Sequence, residues 1–326
     1  MFVSPRSACR FDLPASATLT QVPVSWAESS IGRVAWLAHG LSRAAAHHGA
    51  THLLTLGGGG LGPASSSTSL FIQQSLPFSH EAIATFPLRA RARIAAIRRM
   101  MSMSAARAKN VLVQTETMAQ LVSRDLGVDR GQLQVVPPGV PADILRAAAS
   151  DGAHSARNGS LRLLYVGNSS PYKNLSVVER ALSALQISGK RPRLAATIDK
   201  TSSLAQRSDV EALGMLNRQQ LLAEYLRATC LLMPSLTETV GLPLLEAMAL
   251  SLPIVAADRP YAREVCGSAA LYFDPVAPDS LAAAIARVAE DDALRGRMAA
   301  DGRRRAAEFS VGNAYDRLMD VVLSRP

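Results

Sequence analysis

The sequence predicts an α/β fold in which helices connect the strands of parallel sheets. The main observation is a strand, loop, helix and strand unit, in which apolar runs at residues 230–233 and 254–257 flank a helix over residues 244–250. Such a unit builds a parallel sheet. A hydrophobic content of 48% with only 5% aromatic residues is typical of an Ala-, Leu- and Val-rich α/β protein. The length of 326 residues allows two domains of ordinary size.

The loop of this unit carries the first candidate binding residues. Gly241 can bend in a way that a Cβ would forbid, and Pro243 suits the first helical turn, where a missing N–H costs nothing. Glu238 precedes the turn, and Glu246 lies one helical turn inside. Between them lie the backbone N–H groups of Thr239, Val240, Gly241 and Leu242. N–H groups at a helix start attract anions, and carboxylates accept hydrogen bonds from hydroxyls, so the loop predicts a ligand with phosphate beside sugar hydroxyls.

Charge and cysteine content indicate which partners and which cellular compartment the protein has. The formal net charge of +9 and the pI of about 10.0 indicate an anionic partner, which is a membrane surface, a phosphorylated substrate or a nucleic acid. Cys9, Cys230 and Cys266 show neither metal-ligand spacing nor a pairing pattern, which favours a reducing cytoplasm. No apolar run reaches the length of a membrane span, and the first residues lack the apolar core of a signal peptide.

The segment PSLTETVGLPLLEAMA, residues 234–249, resembles the donor-binding segment of retaining glycosyltransferases of family 4, whose pattern is P-S-x-x-E-G-F-G-L-P-x-x-E-A-M-A. Glu238 and Glu246 match its two glutamates, while Thr239 and Val240 replace the usual Gly-Phe. The alternative is an ordinary helix start with one capping and one surface glutamate. The resemblance implies the GT-B fold, with two Rossmann-like domains whose parallel sheets face a central cleft and a C-terminal helix that crosses back to the first domain.

The resemblance also implies how the chain is divided. We expect an N-terminal acceptor-side domain over residues 1–150, a nucleotide-sugar-binding domain over 151–310 and a C-terminal helix over 311–326. Residues 147–160 have the composition of a linker. Residues 1–25 contain no glycine-rich turn of the kind that follows the first strand of GT-B chains, so the first βα unit is missing or degenerate.

In the first domain the apolar pattern predicts helices over residues 26–49 and 115–126 and strands over residues 52–56, 70–74 and 111–114, and residues 132–136 lead into PPGV. The segments VLVQTETMAQLV and LQVVPPGVPADIL resemble the pieces that close the first domain in the family. IQQSLPF at residues 72–78 resembles a Q-N-x-L-P-F stretch of bacterial family 4 enzymes that build surface polysaccharides. Many relatives have a histidine near this point that touches the donor sugar. This chain instead has Gln73 and Gln74, with His80 further on, as candidate acceptor-side residues.

A helix over residues 88–110 is dense in basic side chains and contains no acid. Ile94, Ile97 and Met101 recur at helical spacing and should face the core. The basic residues are Arg89, Arg91, Arg93, Arg98, Arg99, Arg107 and Lys109. They indicate either an anionic membrane surface as partner or a solvated helix face. Nucleic acid is not expected, because no aromatic residues are interleaved for base stacking.

The second domain opens with an apolar strand over residues 161–166, followed by Gly167 and a helix from Leu175. The resemblance implies that a basic residue after the glycine and a lysine further on hold the donor diphosphate. Lys173 fits the second role, but the first position is the neutral Asn168. The resemblance also implies backbone contacts to the nucleotide base near Met215. Later elements are a strand over 194–198, a short segment over 213–216, helices over 219–228 and 261–265, a strand over 270–273, a helix to residue 290 capped by Asp279, and tail helices over 292–324.

Transfer from a nucleotide sugar requires stabilisation of a diphosphate leaving group. No Asp-x-Asp metal motif is present, so we expect no metal and no cofactor, with Lys173 and the amides of residues 239–242 in its place. By resemblance Glu246 takes the ribose hydroxyls and Glu238 those of the transferred sugar. The expected function is a metal-independent retaining hexosyltransferase acting on a glycan or lipid-linked glycan in cell-surface polysaccharide synthesis, in the cytoplasm or peripheral at the inner membrane face. The alternatives are a nucleotide-sugar-binding protein without transfer activity and a GT-B epimerase.

Overall fold

The computed structural model describes residues 2–3, 20–21, 36, 40–56, 67–149, 161–185 and 192–323. Within them lie a parallel sheet of four strands, a parallel sheet of six strands, and a parallel pair formed by β1 (Phe2–Val3) and β2 (Thr20–Gln21). The expected α/β class with parallel sheets is confirmed. No helix among the described residues combines the length and the apolar character needed to cross a bilayer.

The first sheet has the strand order β3, β4, β5, β6. Its strands are β3 (His52–Leu56), β4 (Ser67–Phe71), β5 (Asn110–Val113) and β6 (Leu133–Val135). Its helices are α1 (Leu41–His47), α2 (His80–Ala84), α3 (Leu88–Ala105) and α4 (Glu116–Leu126). α4 follows β5 directly: the Thr115 hydroxyl accepts from the Met118 amide at 3.3 Å, and Gly127 ends the helix with a φ of 69°. The start of α4 is thereby fixed at the carboxyl edge of this sheet.

The second sheet has the strand order β12, β11, β10, β7, β8, β9. Its strands are β7 (Arg162–Tyr165), β8 (Arg193–Ala196), β9 (Val210–Ala212), β10 (Cys230–Met233), β11 (Ile254–Ala257) and β12 (Ala270–Phe273). From β7 the next strands, β8 and β9, are added on one side, whereas β10, β11 and β12 are added on the other side. The strand order therefore reverses between the neighbours β7 and β10. In open α/β sheets ligands bind at the carboxyl ends of the strands beside such a reversal.

Helices cover both faces of the second sheet. They are α5 (Ala142–Ala148), α6 (Leu175–Ala184), α7 (Arg218–Arg227), α8 (Leu242–Ala249), α9 (Pro260–Cys266), α10 (Pro278–Glu290) and α11 (Asp292–Ala306). Two apolar clusters result, one on each face: Leu231 packs with α8 and α9, whereas Leu232 packs with α6 and α10. Every residue of β10 and β11 is buried, as expected for strands covered on both sides.

The last helix, α12 (Val311–Leu323), returns to the first sheet. Its Leu318 and Val321 pack against a cluster that contains Phe71 and Leu112. The side-chain amide of Asn110 donates to the Val321 carbonyl at 3.0 Å. The C-terminal helix therefore crosses back to the first sheet, as the GT-B resemblance implies.

Several boundaries differ from the sequence expectation. β4 begins at Ser67 rather than at residue 70, because Ser67, Thr68 and Ser69 pair with β3 despite their polarity. α3 ends at Ala105 rather than at residue 110, since the Lys109 amide already donates to the Thr68 carbonyl at 2.8 Å and the chain has joined the sheet.

One predicted cap is wrong, and some predictions concern residues outside the described ranges. The N-cap position of α10 is Ala277, and Asp279 lies within the first turn, where a carboxylate still interacts favourably with the helix end. Most of the expected helix over residues 26–49 and most of the expected linker over 147–160 lie outside the described residues.

Candidate functional site

The loop after β7 forms the first side of the site. A Cβ on Gly167 would lie 2.6 Å from the Tyr165 hydroxyl oxygen, so the close passage of the backbone requires glycine. The Gly167 amide donates to Thr197 Oγ1 at 2.8 Å. Asn168 shapes the turn, because its Oδ1 accepts from the Ser170 amide at 2.9 Å and its carbonyl accepts from the Tyr165 hydroxyl at 2.7 Å. Burial, and then the nearby Glu238 carboxylate, raise the pKa of Tyr165, which keeps this hydroxyl protonated as a donor.

Lys173 and Glu238 meet between the loops that follow β7 and β10. Lys173 Nζ lies 2.6 Å from Glu238 Oε1, and the two side chains are only 13% and 15% exposed. Nζ also lies 5.2 Å from the ring centroid of Tyr172, within the range of a cation–π contact. The Leu236 amide donates to the Tyr172 carbonyl at 2.9 Å and ties the two loops together. The structure thus brings the two predicted catalytic residues into contact at the point where the strand order reverses.

The turn before α8 carries the predicted anion-binding amides. Gly241 has a φ of 78°, a backbone conformation that favours glycine, and a Cβ there would lie 2.9 Å from Met233 Cε. Pro243 lies in the first turn of α8, as expected. Among the described residues we find no acceptor for the amides of residues 239–242, which leaves these N–H groups for a ligand.

Glu246 lies inside α8 and is 5% exposed. Its Oε1 accepts from Arg218 Nη1 at 2.6 Å, and its Oε2 accepts from the Tyr225 hydroxyl at 2.6 Å. Arg218 is bound in turn by Asp143, whose Oδ2 lies 2.6 Å from Arg218 Nε. Burial, and then Glu246, raise the pKa of Tyr225, so the phenol remains a donor. The hydrogen bond from Arg218 lowers the pKa of Asp143.

A cleft of about 350 Å³ opens between the two sheets. Its lining consists of Gln73, Gln114, Glu238, Thr239, Val240, Gly241, Leu242 and Pro243. Its volume lies at the lower end of the range of about 300–1,000 Å³ that small-molecule sites occupy. Gln73 and Gln114 come from the first sheet and the others from the second, so a ligand in this cleft would touch both halves of the molecule.

The structure separates the three predicted acceptor-side residues. Gln73 lines the cleft, whereas Gln74 and His80 are exposed and are not among the described residues that line it. Met215 lies in the turn after β9 and is 100% exposed. The roles of these side chains stay predictions.

Further contacts join the two halves around the cleft. The Thr115 hydroxyl donates to the Thr239 carbonyl at 2.9 Å, and the ring of Phe86 stacks on Tyr172 with centroids 6.4 Å apart. Two further contacts add to them: the Glu264 carboxylate accepts from amides at the start of α4, and Arg259 forms an ion pair with Glu81. These contacts hold the two halves of the molecule together.

The sequence analysis missed several residues that the structure places at the site. Gln114 had a usable signal, since it follows an apolar strand directly and must lie at the carboxyl edge of its sheet. Arg218, Tyr225 and Asp143 had no signal, because Arg218 and Tyr225 reach Glu246, and Asp143 reaches Arg218, only through the packing of separate helices. In the described part of the chain no group of three or more His, Cys, Asp or Glu residues is arranged to hold a metal.

Two facing parallel sheets, helices that cross between them and a cleft at the strand reversal define a GT-B-like α/β protein. The fold is similar to that of WaaG, a glycosyltransferase involved in lipopolysaccharide biosynthesis, with a TM-score of 0.75 and 19% identity over 97% of this chain and 89% of WaaG. It is also similar to Anabaena Alr3699/HepE in complex with UDP-glucose, with a TM-score of 0.61 and 17% identity over 80% of this chain and 73% of that protein. These likenesses establish the fold.

Residues 149–305 match the model of the family Glycosyl transferases group 1. The resemblance inferred from the segment at residues 234–249 is thereby confirmed. The chain is also 30% identical to O-antigen chain mannosyltransferase B of Escherichia coli over 164 residues, which are 46% of this chain and 42% of that relative. The chain spans about half the length of the curated relatives that it matches.

Proposed function

We propose that this protein is a metal-independent retaining glycosyltransferase that moves a sugar from a nucleotide-sugar donor to a glycan or lipid-linked glycan in cell-surface polysaccharide synthesis. The family domain supports glycosyl transfer, and the names of the E. coli relative and of WaaG support a surface polysaccharide as product. The observation that carries the proposal is the contact of Lys173 with Glu238 beside free amides and a second buried carboxylate, Glu246, at the strand reversal. This arrangement offers cationic and amide donors for a diphosphate and carboxylate acceptors for sugar hydroxyls.

Each group has a task that its chemistry allows. The departing diphosphate gathers negative charge, which Lys173 and the amides of residues 239–242 stabilise without rearrangement. The ammonium group of Lys173 has three N–H donors, so it can keep Glu238 and still donate to a phosphate oxygen. Glu238 accepts from hydroxyls of the transferred sugar, and Glu246 accepts from the ribose. The donor thereby lies across the carboxyl ends of β7 and β10.

A thermal-shift screen against UDP-, GDP-, ADP- and dTDP-sugars tests donor binding. A donor at 100 times its dissociation constant should stabilise the protein by about 2.7 kcal/mol. Glu246→Gln keeps the size of the side chain but removes its charge, and it should reduce this shift. A protein that none of these donors stabilises would contradict the proposal.

Metal independence is a separate part of the proposal. It is supported by the lack of an Asp-x-Asp motif in the sequence and by the donors that surround the proposed diphosphate position. Transfer should therefore continue after EDTA treatment. Activity that disappears with EDTA and returns with Mn²⁺ or Mg²⁺ would refute this part while leaving glycosyl transfer intact.

A lipid-linked acceptor would place the enzyme at the inner face of the membrane, and the basic helix α3 supports this location. Ile94 and Met101 are buried under the helix, while Arg89, Arg93 and Arg99 are exposed. Each basic residue near an anionic surface contributes about 1 kcal/mol. Arg91 has a further role, since its guanidinium donates to the carbonyls of Phe86 and Ala84 and so fixes the turn between α2 and α3.

Vesicle sedimentation tests the membrane interaction. Vesicles with anionic lipids should bind the protein at low salt and release it at high salt, because the Debye length falls to about 8 Å at physiological ionic strength. Replacing Arg89, Arg93 and Arg99 together by Gln should weaken binding and leave transfer to a soluble acceptor unchanged. Equal binding to neutral and anionic vesicles would exclude an electrostatic role for α3.

One observation favours a second candidate, a nucleotide-sugar-binding protein without transfer activity. Asn168 stands where the family has a basic residue, and its side chain is engaged within its own loop. A neutral contact stabilises a diphosphate less than a charged one does. Analysis of products from a bound donor separates the candidates: a glycosylated acceptor supports transfer, unchanged donor supports binding alone, and an isomerised donor supports an epimerase.

A further inference from the structure

Glu246 is held by two donors from one other helix, α7. Oε1 accepts from Arg218 at the start of α7, and Oε2 accepts from Tyr225 near its end, each at 2.6 Å. A carboxylate offers about four acceptor positions, two on each oxygen. One position on each oxygen is thus taken, and one on each remains. A pair of neighbouring hydroxyls matches this remaining pattern, with one hydroxyl on each oxygen.

Arg218 is itself fixed from a third helix. Nε and Nη2 contact the two carboxylate oxygens of Asp143 at 2.6 and 3.3 Å, while Nη1 reaches Glu246. The side chains of Arg218 and Asp143 are 41% and 30% exposed, whereas that of Glu246 is 6% exposed. The guanidinium therefore joins a partly exposed acid to a buried one, and its planar fork holds both in a defined orientation.

Charge balance explains why this contact matters. A buried carboxylate is costly unless it is paired, and the loss of one partner leaves an uncompensated charge. Without Arg218 the Tyr225 hydroxyl would be the remaining protein donor to Glu246 among the described side chains. The carboxylate could then turn about its Tyr225 contact, and the two acceptor positions would lose their fixed direction.

We infer that Arg218, itself held by Asp143, is a positioning residue that orients Glu246 toward the ribose diol of the donor. This inference rests on the proposed function, in which Glu246 binds the ribose. It adds two residues, Arg218 and Asp143, that the sequence did not single out. The same side chains connect the donor site to α5, which follows the first crossover between the sheets.

Calorimetric titration with UDP, GDP and ADP and with their 2′,3′-dideoxy forms tests the inference. The quantity to compare is the ratio of ribo to dideoxy affinity in the wild type and in Arg218→Met, Arg218→Lys and Asp143→Asn. The matched control is Arg162→Met. Arg162 also pairs with a buried glutamate, Glu224, but it lies at the amino end of β7, whereas the proposed donor site lies at the carboxyl ends of the strands. Circular dichroism verifies that each variant is folded.

Loss of an oriented charged acceptor should weaken the ribonucleotide by about 10- to 100-fold in Arg218→Met, following the value of about 1.5–3 kcal/mol for bonds to charged groups. The dideoxy form should change by less than about threefold, so the ratio should collapse toward one. Asp143→Asn should lower the ratio part of the way, Arg218→Lys should restore some of it, and Arg162→Met should leave it unchanged.

Two results would overturn the inference and differ from a failure of the proposed function. A folded Arg218→Met or Asp143→Asn variant with the wild-type ratio would show that Arg218 does not orient Glu246. An equal fall in ribo and dideoxy affinity would show that Arg218 acts on the fold or on the phosphates instead. If the wild type binds none of the three diphosphates, the inference fails, and the proposed function fails as well only if the dTDP-sugars of the thermal-shift screen do not bind either.

Discussion

Replacing Glu264 by Gln should destabilise the contact between the two halves of the molecule. Glu264 lies on α9 beside the second sheet, and its carboxylate accepts from the first turn of α4 beside the first sheet. The Glu116 amide lies 2.6 Å from Oε1, and the Thr117 amide lies 2.7 Å from Oε2. The Thr117 hydroxyl donates to Oε2 as well. One side chain thus satisfies two of the unpaired amides at this helix start.

The expected magnitude follows from these contacts. A hydrogen bond to a charged group contributes about 1.5–3 kcal/mol, and a negative charge at a helix N-terminus contributes about 0.3–1 kcal/mol. Gln keeps the size and one acceptor oxygen but loses the charge and turns an NH₂ group toward a donor. Since these terms overlap, we expect a loss of about 2–3 kcal/mol in the free energy of unfolding.

Urea unfolding followed by circular dichroism measures this loss, and hydrogen exchange of the Glu116 and Thr117 amides locates it. The matched control is Glu116→Gln. In the wild type the Glu116 carboxylate pairs with Arg130 at the surface, where the side chains of Glu116 and Arg130 are 47% and 59% exposed. Surface pairs contribute about 0–1 kcal/mol. A Glu264→Gln variant that is no less stable than Glu116→Gln, with unchanged amide protection, would refute the assigned role of Glu264.

Three further predictions concern the site and the core. Lys173→Ala should lower kcat/KM with any accepted donor at unchanged circular dichroism, and an unchanged kcat/KM would remove Lys173 from the diphosphate site. Burial raises the pKa of Cys230 and Cys266 to about 12, so iodoacetamide should label them only after unfolding, which peptide mapping detects. The ordinary pKa of a cysteine thiol is 9.0, so between pH 9.0 and about 12 these two thiols keep their protons in the folded state and lose them in the unfolded state. Stability should fall over that window, and less steeply in Cys230→Ala; equal slopes would contradict the buried-thiol assignment.

The sequence was sufficient where a local pattern determines the outcome. The strands at residues 230–233, 254–257 and 270–273 have the expected bounds. The first two are apolar runs buried between helices on both sides, and the third is a half-buried apolar run at the edge of the same sheet. The turn with Gly241 and Pro243 was also predictable, since a positive φ and a first-turn proline restrict the residue type. These elements also predicted that the loops that carry Lys173 and Glu238 lie next to each other.

The remaining features depend on tertiary contacts. Ser69 is 1% exposed although it is polar, because β4 lies inside the first sheet, and no local pattern indicates this. The partners of Glu246 lie on α7, and Asp143 on α5 holds one of them, so their meeting depends on helix packing rather than on spacing in the sequence. The same holds for Glu264, which reaches α4 across the boundary between the two sheets.

The most direct test of the central claim is transfer of a radiolabelled sugar from the donor that stabilises the protein in the thermal-shift screen. The acceptor is a membrane extract that contains lipid-linked glycans, and the readout is labelled glycan together with released nucleoside diphosphate. The account predicts equal amounts of both products and little activity in Lys173→Ala and Glu238→Gln. Donor that is bound but returned intact, or donor that is isomerised without any labelled glycan, would contradict the assignment of a glycosyltransferase.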